Sequence, residues 1–348
     1  MAKKHALMLI CFLAMGAALA FCAPCARAAE KVNLKNYAQA LSYVKKNKPR
    51  TLDLGSVRFT PVQLLNLQKA LPKNADFSFS TTWQGCAFTR KSKTVDLRKI
   101  TARPARQDLE AIVKICPQCT KINLYGAPIP PYKTMVSLVK KYPKVDFLFA
   151  IRIHEYSLSS LDVAFSTLIK DQTCTRLTAA ECEVLGACKY LKVLDLGHNN
   201  LYSLDFLANL KDLEVLIAAC SHVSDLTPLS GMKHLKYLEL FTTKVTDLSP
   251  LSHCRELLDL NISNTKITSL KGLDKVKSLE RLWVLRCSGL RQTEINRFKK
   301  LHPGCKVQSM GEDITQEWRQ HSRYNHFRWC LYHNRWIPFD QPLPTKTK

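Results

Sequence analysis

The chain has 348 residues, of which 46% are apolar and 23% charged, and its 52 Lys and Arg against 28 Asp and Glu give a formal charge of +24 at pH 7. Such an excess predicts attraction to anionic surfaces such as cell-wall polymers, lipid headgroups, acidic glycans or nucleic acid, and it says nothing about fold. The 11 glycines include no phosphate-cradling loop, no Gly-x-Ser-x-Gly occurs, and His154-Glu155 is not followed by x-x-His, so common enzyme signatures are missing.

Residues 1–28 read as a signal peptide: Lys3 and Lys4, an uncharged apolar run from Ala6 to Phe21, then Ala26-Arg27-Ala28 as a small-x-small cleavage site. Cleavage removes Lys3, Lys4 and Arg27, so the mature charge is 24 minus 3, or +21. The alternatives are an uncleaved anchor, since 16 apolar residues are short for a span, and a lipoprotein at Cys22. No second segment is apolar enough to cross a bilayer, so no membrane span is expected after cleavage. The expected location is secreted or envelope-associated.

Residues 29–50 predict an amphipathic helical cap, with Leu34, Tyr37, Ala38, Leu41 and Val44 on one side. From Thr51 onward, three strand-like stretches recur at Thr51–Gly55, Lys121–Tyr125 and Val193–Gly197, 70 and then 72 residues apart. Lys69-Ala70-Leu71-Pro72, Lys140-Lys141-Tyr142-Pro143 and Lys300-Leu301-His302-Pro303 each precede a further strand, the proline stopping a helix and favouring extended chain. This region is expected to form irregular leucine-rich turns; a separate α/β domain is the alternative.

From Leu191 the pattern becomes strict. Leu191, Leu213, Leu235, Leu257 and Leu279 each open a 22-residue unit, as in LKYLELFTTKVTDLSPLSHCRE. A period in the twenties with an L-x-x-L-x-L core predicts a leucine-rich repeat solenoid, an α/β fold with short parallel strands on a concave face, over 191–310. In the second unit Leu213, Leu216, Ala218, Val223, Leu226, Leu229 and Met232 are the inward positions. The ninth position, Asn199, Ser221, Thr243, Thr265 and Cys287, is expected to satisfy loop backbone groups from inside the coil.

The Asp-Leu-Thr-Pro-Leu of unit two and the Asp-Leu-Ser-Pro-Leu of unit three resemble the short-turn repeats of bacterial internalin-like proteins over about 100 residues. That resemblance implies a protein that binds others through its concave strand face. Strand positions stack into columns: Val193, Val215, Tyr237, Asp259, Arg281; then Asp195, Ile217, Glu239, Asn261, Trp283; then Gly197, Ala219, Phe241, Ser263, Leu285. Tyr237, Glu239, Phe241, Asp259, Asn261, Arg281, Trp283 and Arg286 are therefore the candidate ligand-binding residues, for a protein or glycan. The alternatives are an ordinary mixed surface, or a face covered by the C-terminal tail.

Other candidates compete with that face. Cys116-Pro117-Gln118-Cys119 is formally a C-x-x-C, but both cysteines fall on apolar repeat positions and are expected to pack as small hydrophobes. With 11 cysteines in the mature chain at least one stays unpaired, and no pairing can be assigned. Arg90 to Arg106 is a basic run expected to make no more than nonspecific anion contacts. The aromatic-basic tail, 311–348, is expected to close the end of the core with Trp318, Tyr324 and Trp329. The function expected is exported, non-enzymatic binding with no cofactor, no metal and no specific nucleic acid. An envelope scaffold held to anionic polymers is the runner-up, and a Cys/His-dependent enzyme the weaker third.

Overall fold

A computed structural model describes residue 34 and residues 36–167 and 176–344. The expected signal peptide lies outside the described residues.

The first helix, α1 (Tyr37–Asn47), is capped by the Asn36 carboxamide accepting from the Gln39 N–H at 2.9 Å. It buries Ala40 and Val44 and packs Leu34, Tyr37 and Leu41 against the core, so of the expected apolar side only Ala38 faces solvent. Then follow β1 (Thr51–Val57), α2 (Pro61–Ala70), β2 (Asp76–Trp83), β3 (Cys86–Thr89), β4 (Thr94–Asp96), α3 (Arg106–Ile115), β5 (Lys121–Asn123), α4 (Tyr132–Lys141), β6 (Asp146–Leu148), β7 (Ala150–Ile153), β8 (Tyr156–Ser159) and β9 (Ala164–Ser166). The Lys-x-x-Pro turns do end α2 and α4 ahead of β2 and β6.

These turns are parallel and irregular in one repeated way. After β2 and after β6 the chain skips the helical back and folds into an antiparallel hairpin, β2 with β3 and β7 with β8. Gln84 (φ 47°) and Gly85 (φ 77°) make the first reversal with left-handed backbone, which matches the twist of the strands. The hairpins divide the strands into separate sheets, β1-β2-β3, β4-β5-β6 and β7-β8.

The last sheet is continuous, with seven parallel strands from β9 through β10 (Val193–Asp195), β11 (Val215–Ile217), β12 (Tyr237–Glu239), β13 (Asp259–Asn261) and β14 (Arg281–Trp283) to β15 (Lys306–Gln308). Each of β10 to β13 pairs with the next at a 22-residue offset, such as Leu238 with Leu260, and β14 pairs with β15 at 25. The array begins one strand earlier than the leucine register reads, because β9 pairs with β10 without a leucine-opened unit. On the convex side, a four-residue helix α5 (Ala179–Cys182) is followed by stacked 3-10 turns at 205–209, 227–231, 249–253 and 271–273. Asp225 and Asp247 cap two of these turns by accepting from Thr227 and Ser249 N–H at 2.8 Å, which is what the Asp-Leu-Thr/Ser-Pro motif does.

Inside the coil Leu213, Leu216, Ala218, Val223, Leu226, Leu229 and Met232 are all buried. The ninth-position hydroxyls of Ser221, Thr243 and Thr265 each donate to the carbonyl three residues back at 2.7 Å. Asn199 does so at 3.0 Å, and the Cys287 thiol reaches the Ile262 carbonyl at 3.3 Å. The residue before each, His198, Cys220, Thr242, Asn264 and Arg286, holds φ between 54° and 61°. Non-glycine residues tolerate this strained conformation because the inter-turn ladder holds it, as in Thr242 N–H to Ser263 O at 2.9 Å. Finally α6 (Gln292–Leu301) and β15 close the far end, with Ile295 and Phe298 buried against the last turn.

Candidate concave-face site

The end of the core being closed by α6, the tail goes elsewhere. It forms α7 (Gln316–Arg319) and α8 (Ser322–His333) and lies along the concave face, correcting the expectation of an end cap. Trp318 is fully buried between Tyr237, whose ring centroid is 5.2 Å away, and Trp283, at 5.3 Å. Phe327 of α8 packs on Tyr237 at 4.7 Å and meets Tyr324 edge-on. At its far end α8 reaches β9, where the Asn334 carboxamide accepts from Val163 and Ala164 N–H at 3.1 and 3.2 Å. An α-helix of 12 residues is about 18 Å long, and four strand spacings are about 19 Å, so α8 is long enough to cross from β13 to β9.

Seven of the eight candidate residues are consequently buried rather than open to solvent: Tyr237, Glu239, Phe241, Asp259, Asn261, Arg281 and Trp283. Arg286 alone stays exposed, and it donates to the Glu312 carbonyl where the chain leaves the array. Between the two candidate readings of this face, exposed aromatic surface and tail-covered surface, the second describes the structure.

The polar contacts are organised by charge. Arg323 grips Asp259 with two bonds of 2.6 and 2.9 Å and reaches Glu280 at 2.7 Å, while Arg281 donates to the same Asp259 at 2.6 Å. Glu239 accepts from the Trp318 indole at 2.7 Å and the Tyr237 hydroxyl at 2.5 Å, with Arg319 at 3.8 Å. Arg328 stands 3.7 Å from Asp195, and the Asn261 carboxamide donates to the Ile314 carbonyl at 2.9 Å. Acidic residues on two neighbouring strand columns thus meet arginines on the tail. Burial pushes the Glu239 and Asp195 carboxyls and the Tyr237 hydroxyl upward, as expected where charge is taken out of water. Burial works against the Arg319 charge too, but Glu239 beside it keeps its pKa raised. Among the described residues Glu239 Oε2, Arg281 Nη2 and Arg319 Nε are buried without a hydrogen-bond partner.

The sequence reading missed Trp318, Arg319, Arg323 and Arg328 as partners of the face. The signal was available in principle: three arginines on one short segment oppose Asp195, Glu239 and Asp259, whose columns were already identified.

The other candidates resolve as follows. Cys116 and Cys119 are buried in the core, their thiols donating to the carbonyls of Thr89 and Lys121, and burial pushes Cys116 up to about 12. The basic run from Arg90 to Arg106 is not one patch: β4 divides it, leaving Arg90, Lys91 and Lys93 on one edge of the solenoid and Arg98, Lys99, Arg103 and Arg106 on the other. Among the described residues no group of three or more His, Cys, Asp or Glu could hold a metal ion, and no helix is long and apolar enough to cross a membrane.

The fold and this face define a leucine-rich repeat solenoid, with its own C-terminal segment lying on the concave strands. No family model matches the chain, and no curated protein does. Among solved structures it is similar to an internalin (inlF) from Listeria monocytogenes, at 13% identity over 80% of this chain and 85% of that one, TM-score 0.39. It is also similar to a leucine-rich repeat protein of Leptospira interrogans, at 18% identity over 74% of this chain and 71% of that one, TM-score 0.37.

Proposed function

We propose that the chain is an exported, non-enzymatic binding protein whose concave face, over β10 to β14, recognises a protein helix carrying tryptophan and arginine. The observation that carries this reading is the docked tail. Tail and strands form an apolar cluster separate from the inner core, including Val193, Val215, Tyr237, Trp283, Trp318 and Phe327. Around it run ion pairs from Asp195, Glu239 and Asp259 to Arg328, Arg319 and Arg323. Tryptophan, tyrosine and arginine at the centre of a desolvated patch are the composition of a protein–protein interface. The buried polar atoms left without hydrogen bonds beneath the tail fit an exchangeable occupant better than a fully optimised core. In this reading the tail is a tethered competitor, and a partner helix offering the same chemistry takes its place. A protein partner is favoured over a glycan because the resident occupant is a helix.

A protease site placed between Ser309 and Asp313 tests this on the folded chain. After cleavage and removal of the released segment, a labelled peptide spanning 311–344 should rebind saturably. Asp259→Asn should weaken it by at least about tenfold, since that carboxylate holds two arginines. Rebinding unaffected by Asp259→Asn, or loss of the solenoid fold on cleavage, would make the tail an integral part of the core and sink the receptor reading.

A further inference from the structure

The charge of this molecule is sided, and the fold explains how. In a parallel solenoid every strand starts on one edge and ends on the other. Over 36–167 the chain holds 21 Lys and Arg against 8 Asp and Glu, a net of +13, whereas 176–344 holds 23 against 18, a net of +5. Within the first region, the segments that carry the chain into its strands are 45–51, 69–76, 90–94, 110–121 and 140–146. They hold fourteen of the cations and three of the acids, so this edge carries +11 and the remainder of the region +2. Of the fourteen, only Lys141 forms an ion pair among the described residues, to Glu110 at 3.0 Å. Lys46, Lys73, Lys91, Lys93 and Lys144 are all exposed.

Stacking like charges on successive turns is unfavourable for the fold, so an unpaired row of them implies a counter-charge from outside. The row follows five strand starts in two sheets, β1-β2 and β4-β5-β6, within which neighbouring strands lie about 4.8 Å apart, so it is an extended track rather than a point site. Within it lies a shallow groove of about 350 Å³ lined by Val113, Pro117, Tyr142, Pro143 and Val145 between Lys141 and Lys144. Two features choose among polyanions. None of the exposed large hydrophobics lies on this edge within these turns: Tyr125 follows β5 on the opposite edge, and Tyr190, Tyr202, Leu301, Met310 and Tyr332 come later in the chain. There is therefore no apolar wedge to enter a bilayer and no exposed ring on which bases could stack. What remains is a linear chain with anionic groups on a saccharide backbone, which needs neither a wedge nor a stacking ring and whose units fit the shallow groove beside Lys141 and Lys144.

We propose that this strand-start edge is a binding track for an anionic polysaccharide, separate from the concave face and independent of what that face binds. Two variants of equal charge loss isolate it. The first carries Lys46→Gln, Lys73→Gln, Lys93→Gln and Lys144→Gln on the track; the second carries Lys99→Gln, Arg103→Gln, Lys133→Gln and Arg152→Gln on the opposite edge. All eight side chains are exposed and none is ion-paired among the described residues, so both variants keep the fold, which circular dichroism checks. Binding is measured to alginate, to dextran sulfate, to a single-stranded oligonucleotide and to phosphatidylglycerol vesicles over a range of salt. The track variant should lose at least about tenfold affinity for both polysaccharides with a shallower salt dependence, and the opposite-edge variant less than about twofold. Equal losses in the two variants would reduce the effect to net charge and overturn the proposal. Tighter, track-dependent binding of the oligonucleotide or the vesicles than of either polysaccharide would overturn it equally.

Discussion

The two halves of this solenoid share one strand pattern and differ in what covers it. In β4, β5 and β6 only the central residue is buried: Val95, Ile122 and Phe147 point into the coil, while their neighbours Asp96, Lys121 and Asp146 are open or half-open. In β10 to β14 all three residues of every strand are buried. The backbone is the same and a buried apolar residue fills the centre of every strand in both halves, so the strands themselves do not account for the difference. The tail does, by taking the outward positions of the second half out of water. Burial on the concave face of a repeat array is thus a property of its occupant. A charged outward residue means different things in the two halves: a solvated rim in the first, a desolvated ion pair in the second.

The sharpest way to break this comparison is to remove the occupant's anchor. Trp318→Ala deletes a fully buried ring and should cost about 3–5 kcal/mol, the usual range for such a truncation. The loss should be local. Hydrogen exchange should show α7 and α8 opening while the β10–β14 ladder stays protected, and Tyr237 and Trp283 fluorescence should shift toward that of exposed rings. Global unfolding of the array together with the tail would mean that the two halves differ in their cores and not only in their cover.

Charge deletion sharpens the same contrast. Asp259→Asn takes the shared carboxylate from buried Arg281 and from the part-buried tail residue Arg323, which keeps only the exposed Glu280, and breaking a buried pair costs about 3 kcal/mol or more. Asp96→Asn removes an equally well-formed pair, to Arg98 at 2.7 Å, but on the open half, where both side chains are about half-exposed. No measurable change in denaturant midpoint is expected there. Similar midpoints for the two variants would show that the tail does not desolvate Asp259.

Much of this was legible in the sequence, and the limits are physical. The 22-residue period, the inward leucines and the ninth-position polar residues follow from packing within and between neighbouring turns, and such local regularity is written into each repeat. The expectation that Cys116 and Cys119 are core residues came from the same register. The hairpins were not legible: Ser80–Thr82 and Ala150–Arg152 alternate like any half-buried strand, and nothing local says that the chain returns antiparallel instead of crossing the back. Strand β9 was missed because Ala164-Phe165-Ser166 carries no leucine frame. The concave columns were read correctly as columns and incorrectly as exposed surface. Their cover comes from a segment 79 residues away in the Glu239–Trp318 contact, a separation that no repeat rule spans.

A smaller effect probes the part common to the repeats. Thr265→Val replaces the hydroxyl that donates to Ile262 O at 2.7 Å with an isosteric methyl. One neutral hydrogen bond contributes about 1 kcal/mol, and here the abandoned carbonyl is also reached by the Cys287 thiol at 3.3 Å. A loss of about 1 kcal/mol or less in chemical denaturation is expected, without the local opening expected of Trp318→Ala. A loss several times larger would mark the ninth position as a keystone of the turn rather than one bond among many.

The subtlest test asks whether the cysteines belong to the core in both halves. Burial pushes Cys116 of the open half and Cys182 and Cys305 of the array up to about 12, and Cys254 up to about 11, from an ordinary 9.0. A thiol pKa raised by folding stabilises the native state below pH 9, and that contribution is lost as pH rises from 9 toward the folded value, because the unfolded chain ionises first. The expected outcome is slow alkylation of all four up to about pH 10, since the thiolate is the reacting form and each sulfur is shielded. Half-buried Cys220 should label first. Unfolding in denaturant should release all of them at once. Selective labelling of Cys116 or Cys119 in the folded chain at neutral pH would reverse their assignment, making the Cys116-Pro117-Gln118-Cys119 turn a reactive dithiol and the uncovered half of the solenoid the part with chemistry.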